Sequence, residues 1–135
     1  TDAKRFENWE RYFAGQAALG KAVDYAMELG LKTIERRVFD LAACLRTELQ
    51  ETGFVTLTDQ GAKKCGLVTF EHLRLNAEQV KIQLSNHKIN VSTSSGSGMK
   101  LSYLDRGLEG LVRASVHYYN TEDEINKFVE ALRSL

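Results

Sequence analysis

Proline is absent from this 135-residue chain. Ordinary usage would supply about seven. The sequence therefore lacks the residue that most often punctuates linkers, and its length suits one ordinary domain. Cysteine is scarce. Cys44 and Cys65 are the only two, too few for a disulfide framework, so both are expected to be free thiols in a cytoplasmic protein. There is no CxxC pair, and His72, His87 and His117 have no metal-ligand spacing, so no metal site is expected. Net charge is also lacking, since 18 basic residues balance 18 acidic ones. That removes the electrostatic reason to expect a nucleic-acid or membrane partner. The Lys63-Lys64 pair reads as a solvated loop. No apolar run approaches the ~20 residues of a membrane span, and no signal-peptide pattern stands at the front. The first residue is Thr1 rather than Met, so the natural start is expected to have been cut away or replaced.

What is present is ordinary in bulk: 43% hydrophobic and 27% charged residues, the composition of a soluble globular protein. Residues 1–15 are polar and aromatic with no clean period, and read as an irregular arm with a short helical turn. Trp9, Tyr12 and Phe13 in that arm need cover, which points to a partner surface. Leu19, Ala22, Val23, Ala26 and Leu29 recur at helical spacing, and Gly30 follows as a helix terminator. A second helix over 31–52 carries the stripe Ile34, Val38, Leu41, Ala42, Leu45 and Leu49, ended by Gly53.

From residue 54 the period shortens to two. Strands are predicted over 54–59, 65–72, 89–94 and 111–119. Asn76 with Gln79, and Thr121 with Glu124, are capping-box pairs that open helices over 76–87 and from 121 onward. Residues 95–110 are rich in glycine and serine and read as a flexible loop. The order predicts an α+β fold: a small, mostly antiparallel sheet of three to four strands with helices packed on one face, preceded by two helices.

One strand raises a chemical question. Alternation puts Val112, Ala114, Val116 and Tyr118 on one side and Arg113, Ser115 and His117 on the other. A sheet with one solvated face accounts for the pattern. The functional reading is that the planar guanidinium of Arg113 holds a carboxylate through two parallel charge-assisted hydrogen bonds.

The run "RASVHYYNTEDEINKFVEAL" resembles the carboxy-terminal end of class V aminotransferases, a family that includes cysteine desulfurases, selenocysteine lyases and isopenicillin-N-epimerase-like enzymes. The pattern R-x-S-x-x-x-Y-N-T-x-x-E-[IV] is met at Arg113, Ser115, Tyr119, Asn120, Thr121, Glu124 and Ile125. Arg5, Phe6 and Glu7, with the helical run after them, are similar to the segment that leads from the family's large domain into its small one. The resemblance implies a small domain over 16–135 of a fold type I enzyme dependent on pyridoxal phosphate. It implies that Arg113 binds the substrate α-carboxylate, with Ser115, His117 and Asn120 as candidate lining residues. It also implies that the cofactor lysine lies in the large domain, whose motif segments are not found here. The chain is therefore expected to bind no cofactor and to carry no catalytic residue by itself. The loop before the arginine strand carries no cysteine, so thiol-dependent desulfuration is not expected. Nor does "NWERYFAG" after Glu7 match the phosphate-contacting run of many relatives. Two partner readings stay open. A separate large-domain chain completes a half-enzyme, or the chain self-associates through its arm and first helices, with Gly15 and Gly30 as hinges.

Overall fold

The computed structural model describes residues 2–7, 10–95 and 100–135, without the side chains of Lys100 and Ser102. It divides into two compact units, Thr1–Ile34 and Glu35–Leu135. In the first, a 3-10 turn at Ala3–Phe6 precedes helix α1, Phe13–Leu29. Helix α1 thus begins inside the expected arm. Gly30 ends it at φ 86°, a conformation glycine adopts without strain. No residue of α1 is buried; Leu19, Val23, Tyr25 and Met27 of its apolar positions are all exposed. Tyr12 and Phe13 are exposed as well, and Trp9 lies outside the described residues.

The second unit is built around helix α2, Leu31–Thr52, from Glu35 onward, where its predicted stripe buries Leu41, Ala42, Leu45 and Leu49. Among the described residues four strands follow: β1 Val55–Leu57, β2 Leu67–His72, β3 Ser92–Ser95 and β4 Gly110–Ser115. They form one antiparallel sheet in the order β1-β2-β4-β3. Helix α3, Ala77–Asn86, and helix α5, Glu122–Arg133, each start at the expected capping box. The core joins Val68, Phe70, Val112 and Ala114 of the sheet to the stripes of α2, α3 and α5, so the α+β reading holds.

The first three strands are shorter than predicted, β3 running Ser92–Ser95 in place of 89–94, and two further stretches differ from the sequence reading. Strand β4 ends at Ser115, where 111–119 was predicted, because Tyr118 and Tyr119 form a turn closed by the Asn120 N–H donating to the His117 carbonyl at 3.0 Å. Part of the expected loop is helix α4, Lys100–Arg106. Gly107 stops α4 at φ 63°. Its N–H donates to the Leu104 carbonyl and that of Leu108 to the Tyr103 carbonyl, the two bonds of a Schellman cap.

Charged side chains brace the frame. Arg46, on α2, donates to Asp59 at 2.7 Å and to the Cys65 and Leu67 carbonyls, tying the β1–β2 connection to the helix. Arg37 forks onto both carboxylate oxygens of Glu122. Hydrogen bonding from Arg37 pulls the Glu122 carboxyl from 4.5 down to about 2. A folded-state value below the unfolded one stabilises above the unfolded value, and the gain is lost as pH falls through the folded one. The melting temperature of wild type should therefore exceed that of Glu122→Gln at neutral pH, and the gap should close between about pH 4.5 and pH 2. A gap that persists at pH 2 would contradict this account of the pair.

Candidate functional site

Arg113 sits in the interior of the sheet, paired on one side with Thr69 and on the other with Ser92. Thr58 extends the same rung, its N–H donating to the Thr69 carbonyl at 2.8 Å and its hydroxyl to the Thr69 hydroxyl at 2.9 Å. The row Thr58–Thr69–Arg113–Ser92 therefore crosses β2, β4 and β3 and reaches the residue just past β1, on the face opposite the main core. Two-sided pairing fixes the backbone under Arg113, and its side chain is exposed. Among the described residues its guanidinium has no hydrogen-bond or ion-pair partner. An exposed, unpaired guanidinium on a locked strand, with hydroxyls on either side, can receive a carboxylate in fork geometry.

Ser115 is exposed on the same face, one step along β4 and opposite Leu67. His117 falls beyond the strand. Its N–H donates to the Asn120 side-chain oxygen at 2.8 Å, and its ring lies 4.2 and 4.3 Å, centroid to centroid, from those of Tyr118 and Tyr119. The Asn120 amide nitrogen donates to Glu124 at 3.1 Å. Its backbone carbonyl accepts from Arg37 at 3.0 Å. Both ends of the Asn120 side chain are thus engaged in the turn that leads into α5. The Asn120 bond, followed by the Thr121 N–H, holds the Glu124 carboxyl below its usual range.

A groove of about 770 Å³ runs beside α5, lined by Lys88, Ile89, Lys127 and Phe128 among others. It reaches Ser115 and Asn120 but neither Arg113 nor His117, so the expected site residues divide between two places. His72 is buried, and its Nδ1 accepts from the N–H groups of Arg74 and Leu75 at 3.1 Å. Burial, helped by Arg74, pushes its pKa down, and it closes the turn into α3. Among the described residues no cluster of histidine, cysteine or carboxylate side chains could hold a metal ion, and no helix is long and apolar enough to cross a membrane.

Neighbours that sequence reasoning did not single out are Thr58, Thr69 and Ser92, which follow from register, and Arg106. The Arg106 Nη2 donates to the Thr58 carbonyl, which places the end of α4 beside the arginine rung.

Comparison with known proteins agrees with this architecture. The model of the family described as "Aminotransferase class-V" matches residues 3–128. A probable cysteine desulfurase of Xylella fastidiosa (strain Temecula1 / ATCC 700964) is 30% identical over 98% of this chain, and 32% of the relative's length is covered. The apo structure of a cysteine desulfurase from Thermococcus onnurineus NA1 superposes with a TM-score of 0.88 at 27% identity, covering 98% of this chain and 33% of the other. A C-DES variant with glycine covalently linked to its PLP cofactor has a TM-score of 0.59 at 22% identity over 74% of this chain and 23% of its own, a likeness of fold. The chain spans about a third of the length of the curated relatives it matches. With the family model matching most of its residues, the chain belongs to the class V aminotransferase family.

Proposed function

We propose that this chain is the small, substrate-carboxylate-binding domain of a class V aminotransferase-type enzyme, and that Arg113 is the carboxylate anchor. It works with a cofactor-binding segment supplied by the same polypeptide or by another chain, in the cytoplasm. The observation that carries the reading is the Arg113 guanidinium: exposed, without a partner among the described residues, and fixed between Thr69 and Ser92.

The family cofactor is pyridoxal phosphate, which forms its covalent link through a lysine. The strand residues that share the face of Arg113, including Thr56, Thr69, Glu71, Ser92, Ser94 and Ser115, contain no lysine. This face does not fit covalent anchoring of the cofactor, and no cofactor step is assigned to it. The segment 95–110 contains no cysteine, so the reading stops short of thiol-dependent sulfur transfer. The chain's own task is to bind and orient one end of an amino acid. Fixing that end supplies orientation, one of the larger contributions to enzymatic rate.

Calorimetric titration with L-alanine and with ethylamine, which has no carboxylate, tests the reading. Saturable binding of alanine at millimolar concentration, with none for ethylamine, is the expected result. Equal heats from both, or no saturable heat from alanine, would count against Arg113 as an anchor.

A further inference from the structure

We propose that Thr69 is a second anchor for the carboxylate at Arg113: its hydroxyl donates to the same group, and the buried Thr58 aims it. This rests on the reading of Arg113 as a carboxylate anchor and adds the residue that sets the ligand's orientation.

Register brings Thr69 and Arg113 together, facing each other across β2 and β4. The Thr69 carbonyl accepts from the Thr58 N–H at 2.8 Å, on the β1 side. The Gly66 carbonyl, just before β2, accepts from the Val116 N–H at 2.8 Å, on the β4 side. Backbone groups alternate in direction along a strand, so Thr69 directs its own away from β4. Thr69 and Arg113 are therefore a non-hydrogen-bonded pair. In such a pair the Cα atoms lie about 4.5 Å apart and the side chains stand close. By the same alternation Arg113 and Ser92 form the wider, hydrogen-bonded kind, about 5.5 Å apart.

The two hydroxyls that flank Arg113 are also engaged differently. Ser92 donates its proton to the Arg113 carbonyl at 3.5 Å, so it is turned to the backbone. Thr69 accepts at 2.9 Å from the Thr58 hydroxyl. A hydroxyl has one proton and two lone pairs, so this bond leaves Thr69 its proton to donate. Thr58 is well held. It is 4% exposed, its N–H is bonded to Thr69 and its carbonyl accepts from Arg106. Thr69 is the partner of its hydroxyl among the described residues. Thr69 itself is half-buried and Arg113 exposed, so the Thr69 hydroxyl stands where the covered end of the rung meets the open guanidinium. A carboxylate in the Arg113 fork uses one lone pair on each oxygen and keeps the others. The oxygen nearer β2 accepts from Thr69. A third donor from the neighbouring strand fixes the side on which the rest of the amino acid projects, which is the orientation a reaction needs.

NMR titration with L-alanine, following the Arg113 side-chain N–H, compares wild type with Thr69→Val, Thr69→Ser and Thr58→Val. Valine keeps the branch at Cβ and suits a strand. Thr69→Val should bind about tenfold more weakly, the lower end for a hydrogen bond to a charged group, with the Arg113 signal still moving as ligand is added. Thr69→Ser keeps the hydroxyl and should recover most of the affinity. Thr58→Val leaves Thr69 its proton but not its direction, and should show a smaller loss than Thr69→Val; no loss there would overturn the aiming role. Wild-type affinity in Thr69→Val, or equal losses in the valine and serine variants at position 69, would overturn Thr69 as an anchor and leave Arg113 as one. The absence of a saturable Arg113 shift in wild type would overturn both readings together.

Discussion

Arg113→Ala abolishes measurable amino-acid binding and leaves the fold intact. A hydrogen bond to a charged group contributes about 1.5–3 kcal/mol, so losing the fork weakens binding roughly 10- to 100-fold, at 1.4 kcal/mol per tenfold. Starting from millimolar affinity, that is complete loss in practice. Arg113→Lys should recover only part of it, because an ammonium keeps the charge but not the planar pair of donors. Stability should move by less than about 0.5 kcal/mol, the usual range for an exposed substitution away from any bonded partner. The pairing of Arg113 with Thr69 and Ser92 is made by backbone atoms, and alanine keeps it. Calorimetry and a thermal melt on the same variant separate the two effects. A variant that binds as wild type does, or one that unfolds, would contradict the account.

Phe70→Ala has the largest expected effect on stability. Phe70 is fully buried on β2 and meets Phe128 of α5 edge to face, with centroids 6.2 Å apart. It is the cross-strand partner of Val112, the residue before Arg113. Truncating a buried phenylalanine costs about 3–5 kcal/mol, from lost transfer energy and the cavity left behind. In a domain of this size the melting temperature should fall by on the order of ten degrees or more. Phe39, on α2 and 39% exposed, is the control, and its alanine variant should lose far less. Similar losses at both positions would mean that the core does not sit where the helix stripes place it. Carboxylate binding should weaken in Phe70→Ala only as far as the folded fraction falls.

Local signals carried much of this fold. Asn76 with Gln79 and Thr121 with Glu124 close capping boxes where their spacing says they should. Gly30 terminates α1 with a positive φ. The stripe of α2 buries Leu41, Ala42, Leu45 and Leu49 as its period requires. Other features were illegible for physical reasons. Helix α4 follows a glycine-serine run, which hid its weaker pattern of Leu101 and Leu104 ahead of the Gly107 stop. Strand β4 ends early because Asn120 closes a turn onto His117, and the alternation of exposure runs on past the last ladder bond.

The site divides in the same way. Arg113 and Ser115 follow from a period of two, which needs only neighbours in sequence. Arg106 beside Thr58 joins residues 48 positions apart. Arg37 on Glu122 joins residues 85 apart. Such pairs depend on sheet register and helix docking, and a single sequence shows neither.

The central claim is that Arg113 anchors a carboxylate on the face opposite the core. The most direct measurement is the NMR signal of the Arg113 side-chain N–H during titration with L-alanine, read together with backbone signals of Thr69, Ser92 and the α5 groove residues Lys127 and Phe128. The account predicts a saturable Arg113 shift, with Thr69 and Ser92 moving on the same curve and the groove residues still. Shifts confined to the groove, with Arg113 unmoved, would contradict it.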